Sequence, residues 1–122
     1  MTADDVLRVR DYLEHIELAI ARIRRYLAGL DRSSFLASEE KQDAVIRNIE
    51  IIGEAVKQLS SEKKASRPDV PWKDIAGMRH RLIHQYFQIR LDRVWSVVQE
   101  DLSPLQDAVA ALLAELELPT AP

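Results

Sequence analysis

The chain has 122 residues, with no cysteine, three glycines, five prolines and a net charge of −3 from 20 acidic and 17 basic side chains. That length suits one domain able to bury about two-thirds of its unfolded surface. The missing cysteines exclude disulfides, a thiol nucleophile and a zinc–thiolate centre, and so few glycines and prolines leave little room for a turn-rich β fold.

From the N-terminus, Val6, Val9, Leu13, Ile16, Ile20, Ile23 and Leu27 step by three and four residues in turn, a sustained heptad seam that predicts a first long helix. Thr2 or a neighbouring aspartate can cap it, and Gly29 ends it. His15 falls beside the seam and is expected to be structural. After a loop over Leu30 to Ser34, a second helix is expected from about Phe35 to Leu59, with Val45, Ile49, Ile52, Val56 and Leu59 as its seam. Gly53 sits in its middle, where glycine costs about 1 kcal/mol against alanine, so a close helix–helix approach is the expected reason for it. Ser60 to Pro71 reads as an exposed loop.

A third helix is expected from Pro71-Trp72 or Asp74 to just before Arg90, with Ile75, Met78, Leu82 and Tyr86 or Phe87 facing inward. Asp92 is the expected cap of a fourth, whose apolar positions are Val94, Trp95, Val98, Leu102, Leu105, Val109, Leu112 and Leu116. Ser103-Pro104-Leu105-Gln106 reads either as a capping box that restarts a fifth helix or as a proline kink in one long helix, the kink being preferred. Trp72 and Trp95 are expected to anchor the core or an interface. The expected architecture is all-α, an antiparallel up-and-down bundle of four long helices in a single domain over residues 1–118, with a disordered tail at 119–122. The acidic start lacks a hydrophobic signal segment and no apolar run approaches ~18 residues, so a soluble, cytoplasmic protein is expected, with no membrane partner.

The chemistry concentrates in Arg79-His80-Arg81-Leu82-Ile83-His84-Gln85-Tyr86-Phe87. Between Arg79 and Arg93 four arginines and two histidines face one carboxylate, Asp92, so an otherwise acidic chain carries one basic patch able to focus a polyanion. Arginine is always charged and its planar fork matches phosphate oxygens, while histidine titrates near neutral pH and can lend or take a proton. Arg79 and His84 are five residues apart, about 140° around an ideal helix and ~7.5 Å along it, so one copy converges them poorly on a single phosphate. His80 and His84 do share a face, but a third metal ligand and a zinc-hydrolase glutamate are missing nearby, and no metal site or cofactor is expected. Structural readings stand beside these: Arg79 paired across helices with Glu50 or Glu54, His84 buried against a carboxylate, and Tyr86 as a core aromatic.

The spacing Arg79-x4-His84-x-Tyr86 resembles the signature of HEPN-superfamily ribonucleases, in particular HepT-like toxins paired with an MNT-type nucleotidyltransferase antitoxin. The resemblance extends through Arg47-Asn48-Ile49-Glu50-Ile51-Ile52-Gly53-Glu54-Ala55, Pro71-Trp72-Lys73-Asp74-Ile75-Ala76-Gly77-Met78, Val94-Trp95 and Asp101-Leu102. It implies a homodimer whose shared cleft unites both copies of the motif, and metal-independent endonucleolytic cleavage of RNA by its own 2′-hydroxyl. His84 would be the acid or base and Arg79 would stabilise the transition state, with His80 and Arg81 as substrate contacts. Tyr86 would be the position where the antitoxin attaches AMP. His80 stands where such families usually carry a small polar residue, and the alternative is a catalytically silent HEPN module for nucleotide binding or for docking the nucleotidyltransferase.

Overall fold

The computed structural model describes residues 2–84 and 90–117, with side chains described for 2–78 and 90–116. Tyr86 and the expected tail at 119–122 lie outside the described residues. All regular structure among the described residues is helical: α1 Ala3–Leu27, α2 Arg32–Leu36, α3 Glu39–Lys57, α4 Ser61–Ala65, α5 Trp72–His84 and α6 Leu91–Glu117.

The ends of α1 follow local chemistry. The Thr2 hydroxyl accepts from the Asp5 N–H and the Asp5 carboxylate accepts from the Thr2 N–H, both at 3.1 Å, a reciprocal capping box. Past the C-terminus Gly29 takes φ +78°, in the left-handed region where a Cβ is disfavoured. The chain then differs from the single second helix that periodicity suggests. Asp31 caps the short α2, Ser38 caps α3 by accepting from the Lys41 N–H, and the chain breaks between them. Two caps seven residues apart start two helices, and the Gln42 amide ties them by donating to the carbonyls of Phe35 and Leu36 at 3.0 Å each. The expected loop over residues 60–71 likewise holds a turn of helix, α4, capped by Ser60 and with no buried residue.

At the start of α5 the Trp72 indole N–H donates to the carbonyls of Lys64 and Arg67, locking the α4–α5 connection to the core. The last helix runs unbroken from Leu91 to Glu117 with Pro104 inside it, which removes the restart alternative. Asp92, expected as its cap, lies in the first turn instead, and the Arg90 carbonyl accepts the opening backbone bonds from Arg93 and Val94.

The predicted seams are buried over most of their length, with Val6, Val9, Trp95 and Leu116 only partly so. Leu13, Ile16, Ile20, Ile23 and Leu27 of α1 meet Val45, Ile49, Ile52 and Val56 of α3, with Val94, Val98, Leu102, Leu105, Val109 and Leu112 of α6 in the same core. The helix α3 packs on both α1 and α5, and α1 packs on α6. The pairs α1–α3 and α1–α6 each run in opposite senses. Tyr26 late in α1 lies by Lys41 early in α3, whereas Tyr12 lies by residues as late as Gln58. Arg24 donates to Ser103 and Gln106 of α6, while Leu27, one turn on, shares a surface with Val98 and Leu102. Gly53 is buried in α3.

Phe35 gives α2 its purpose. It is fully buried, with its ring centroid 5.4 Å from that of Trp95 on α6. Phe35→Ala is expected to cost about 3–5 kcal/mol by urea denaturation through cavity formation. Gly29→Ala, with nothing near its new methyl group, is expected to cost only about 1 kcal/mol, from backbone strain.

Candidate active site

Four of the five expected site residues sit on one continuous element. Arg79, His80, Arg81 and His84 occupy the second half of α5, which remains helical through His84. On such a helix the Arg79 and His84 backbone positions are about 140° apart and ~7.5 Å along the axis, so the divergence inferred from spacing holds in the fold. The first half of the same helix is anchored by buried Trp72, Ile75 and Met78, which bear on the core shared with α3. The motif therefore begins one residue beyond the last described anchor, on a rigid support rather than a loop.

The approach to the motif from α6 is a polar cleft of about 380 Å³. Asp74 and Met78 of α5 face Arg90, Arg93, Ser96 and Asp101 across it. Its charge is divided. At the end nearest the motif in sequence, Arg90 pairs with Asp92 at 3.4 Å, with the arginine largely in solvent and the aspartate about half exposed. Desolvation opposes ionisation of Asp92, but the Arg90 charge and the Arg93 backbone N–H outweigh it and hold the carboxyl below its ordinary value. Deeper along the cleft, burial pushes the Asp101 carboxyl up, and the negative charges of Glu100 and Asp74 add to the effect. A polyanion is thus admitted at the arginine end and repelled from the aspartate end. Among the described residues no group of histidines and carboxylates is placed to hold a metal ion.

A second polar depression, of about 420 Å³, lies between α1 and α3 and is lined by Tyr12, His15, Arg47, Glu50, Glu54 and Gln58, among others. His15, expected to be structural, is exposed there. Reading the sequence as a set of cores misses this groove. Its only signal is the polar stripe Arg47, Glu50, Glu54 at helical spacing on the face of α3 opposite the seam. Arg47 and Glu50 approach within 3.9 Å.

Comparison with known proteins sets this geometry in a class. The family model described as "Ribonuclease HepT-like" matches residues 16–112, which takes in the second half of α1, all of α2 to α5 with the motif, and most of α6. The chain belongs to the HepT-like ribonuclease family. It is 40% identical over 97 residues to a protein of Thermococcus cleftensis named "Probable ribonuclease HepT", covering 80% of this chain and 88% of that one. It is 38% identical over 108 residues to a "Putative RNase" of Caldanaerobacter subterraneus subsp. tengcongensis, covering 85% and 93%. A Methanocaldococcus jannaschii protein named "Gamma-glutamylcyclotransferase and putative RNase" is 40% identical over 109 residues, 89% of this chain but only 49% of the relative, so the chain spans about half of that protein. No solved structure matches.

The like charges around Asp101 make a prediction. A carboxyl whose folded value is raised favours folding only at low pH, and that contribution is lost as pH rises through the raised value. At neutral pH ionised Asp101 is therefore a small liability, and Asp101→Asn is expected to raise the melting temperature by about 1–2 °C, the modest size set by partial solvent screening. The difference should shrink in thermal melts as pH falls through the raised Asp101 value, where that carboxyl takes up its proton.

Proposed function

We propose that this chain is a metal-independent endoribonuclease that acts as the toxin of a toxin–antitoxin pair and works as a homodimer. The observation that carries the reading is the placement of Arg79 and His84 on one helix with divergent azimuths. A single copy offers one phosphate only part of the pair, whereas two copies related by a two-fold axis line one cleft with two arginines and two histidines.

In that cleft the 2′-hydroxyl of RNA attacks the adjacent phosphorus. The P–O bond to the 5′-oxygen of the next nucleotide breaks, leaving a 2′,3′-cyclic phosphate and a 5′-hydroxyl. His84 takes the proton from the nucleophile or supplies one to the leaving oxygen. Arg79 stabilises the charge that builds on the phosphoryl oxygens. His80 and Arg81 extend the contact to flanking nucleotides, and the exposed Arg90 and Arg93 at the mouth of the α5–α6 cleft continue the positive surface. Silencing falls to a cognate MNT-type nucleotidyltransferase that transfers AMP to the Tyr86 hydroxyl, placing bulk and negative charge beside the phosphate site. No described helix is long and apolar enough to cross a membrane; the reading places the toxin and its RNA together in the cytoplasm.

Two tests follow. Arg79→Ala and His84→Ala should each reduce cleavage of total RNA by at least about 100-fold, the scale of a lost acid–base or charge-stabilising group. Melting temperatures should stay within a few degrees of the parent, and excess chelator should leave parental activity intact. Loss of activity in chelator, or unfolding of the His84→Ala protein, overturns the mechanism.

Regulation is tested by co-expression with the nucleotidyltransferase. Intact mass should rise by whole AMP adducts in the parent and not in Tyr86→Phe, which keeps the ring and loses the acceptor oxygen. The Tyr86→Phe protein should still cut RNA and should be more toxic than the parent under co-expression. An unshifted parental mass returns Tyr86 to a packing role.

A further inference from the structure

We infer that the end of the bundle where α1 stops and α3 starts carries a second contact for the RNA strand, centred on Tyr26 and flanked by Arg25 and Lys41, an inference that rests on the ribonuclease reading above. The Tyr26 ring gathers cations from two helices: the Arg25 guanidinium lies 5.4 Å from its centroid and the Lys41 ammonium 6.0 Å. Tyr26 and Lys41 are half-buried and Arg25 is exposed. Among the described residues neither cation forms an ion pair or a side-chain hydrogen bond. That sets them apart from Arg24, one residue earlier, which donates to Ser103 and Gln106. Two like charges held at one ring without a carboxylate repel each other, and an anion seated between them relieves the repulsion. Arg22, one turn before Tyr26 on the same side of α1, adds a third positive charge.

The carboxylates nearby are turned aside or engaged. Asp31 is occupied as the cap of α2. Glu39 and Asp43 each lie two residues from Lys41, about 160° away around an ideal helix. Glu40 is about 100° from Lys41. Like Glu39, it stands in the first turn of α3, where the helix dipole favours negative charge. A basic surface with an aromatic ring at its centre is how single-stranded nucleic acids are held: cations meet the phosphates while a base stacks on the ring, whatever its sequence. An acidic peptide would serve the cations alone, whereas a nucleotide serves cations and ring together. Cation–π contacts at exposed positions are weak, so Arg25 gives up little in turning from the ring to a phosphate. The position suits a strand that leaves the motif. The helix α6 begins at this same end of the bundle, with Trp95 against Phe35 and Val98 beside Leu27. Its Arg90 and Arg93 line the cleft with Met78, the residue before Arg79.

The probe is a 2′-O-methylated RNA of about 12 nucleotides, within the span of single-stranded binding sites. It lacks the attacking hydroxyl and stays intact while the full chain is titrated by fluorescence anisotropy and NMR. In the parent, NMR shifts should appear at Arg22, Arg25, Tyr26 and Lys41 as well as in the motif. The double variant Arg25→Gln, Lys41→Gln should weaken binding about tenfold near 0.1 M salt and lower the salt slope by about 1.4, two phosphate contacts at ~0.7 each for a single strand. Tyr26→Leu removes the ring and keeps an apolar side chain, so it should weaken binding about tenfold with the salt slope unchanged. In cleavage of long RNA both losses should fall on KM rather than kcat. Parental shifts confined to the motif overturn the proposal, whatever the variants do. So does a double variant with the parental affinity and salt slope. A double variant that keeps its RNA affinity and loses its hold on the nucleotidyltransferase also overturns it, and gives the surface to a protein partner. RNA cleavage by a chain whose α1 and α3 signals stay still removes the second contact and leaves the ribonuclease reading standing. Binding through Tyr26 by a chain that cuts no RNA keeps the contact and removes the reading beneath it.

Discussion

The burial of one apolar face of α3 is the constraint on which the other features depend, because α3 packs on both α1 and α5. Val45, Ile49, Ile52 and Val56 lie at 3% exposure or less, and each such side chain removed from water contributes about 1.5–3 kcal/mol. That face can be satisfied only if α1 and α5 lie along it. The same rotation of α3 about its axis decides what remains outside, so Arg47, Glu50 and Glu54 are left to line a groove against α1. Packing and the polar surface are therefore two consequences of a single helix orientation. A change of one residue in the register of the seam would bury those charges, which the interior does not tolerate.

The motif helix gains its precision from the same core. Trp72 is held at its ring nitrogen by two carbonyls of the preceding segment, and Ile75 and Met78 are packed, so the backbone that carries Arg79 to His84 starts from three fixed points. Under the proposed mechanism, in which Arg79 and His84 act around one phosphate, that support matters, since small displacements of a catalytic group are costly. The neighbouring charges divide the labour further. Arginines line the motif end of the α5–α6 cleft, while Asp74, Glu100 and Asp101 crowd the other end and raise the Asp101 carboxyl. Among the described residues of this cleft, positive charge gathers at one end and negative charge at the other, so a polyanion is attracted to the first and repelled from the second.

Several features were legible in the residues alone. The period of 3.5 along Leu13, Ile16, Ile20, Ile23 and Leu27 identified a long helix and its buried side, because burial of a helix face requires that spacing whatever the partner. Gly29 and Thr2 marked the ends of that helix by backbone chemistry that acts within four residues. The spacing from Arg79 to Tyr86, with its flanking segments, identified the family that the comparison then matched over residues 16–112. The break at Ala37-Ser38 was also written locally, in two caps seven residues apart, but apolar periodicity over Phe35 to Leu59 masks it.

Tertiary structure decided what no local rule reaches. That Gln42 ties α2 to α3, that Phe35 meets Trp95 sixty residues away, and that Arg24 bonds to Ser103 and Gln106 depend on which helices become neighbours. The groove is of the same kind: Tyr12 and Glu54 each look like ordinary solvated positions until two helices of opposite sense bring them to one surface. Periodicity specifies which face of a helix is buried, because that is a property of one helix in water. It does not specify the partner, because Leu, Ile and Val bury equally well against any apolar face; the choice among partners is made by shape and by loop length, which only the assembled chain expresses.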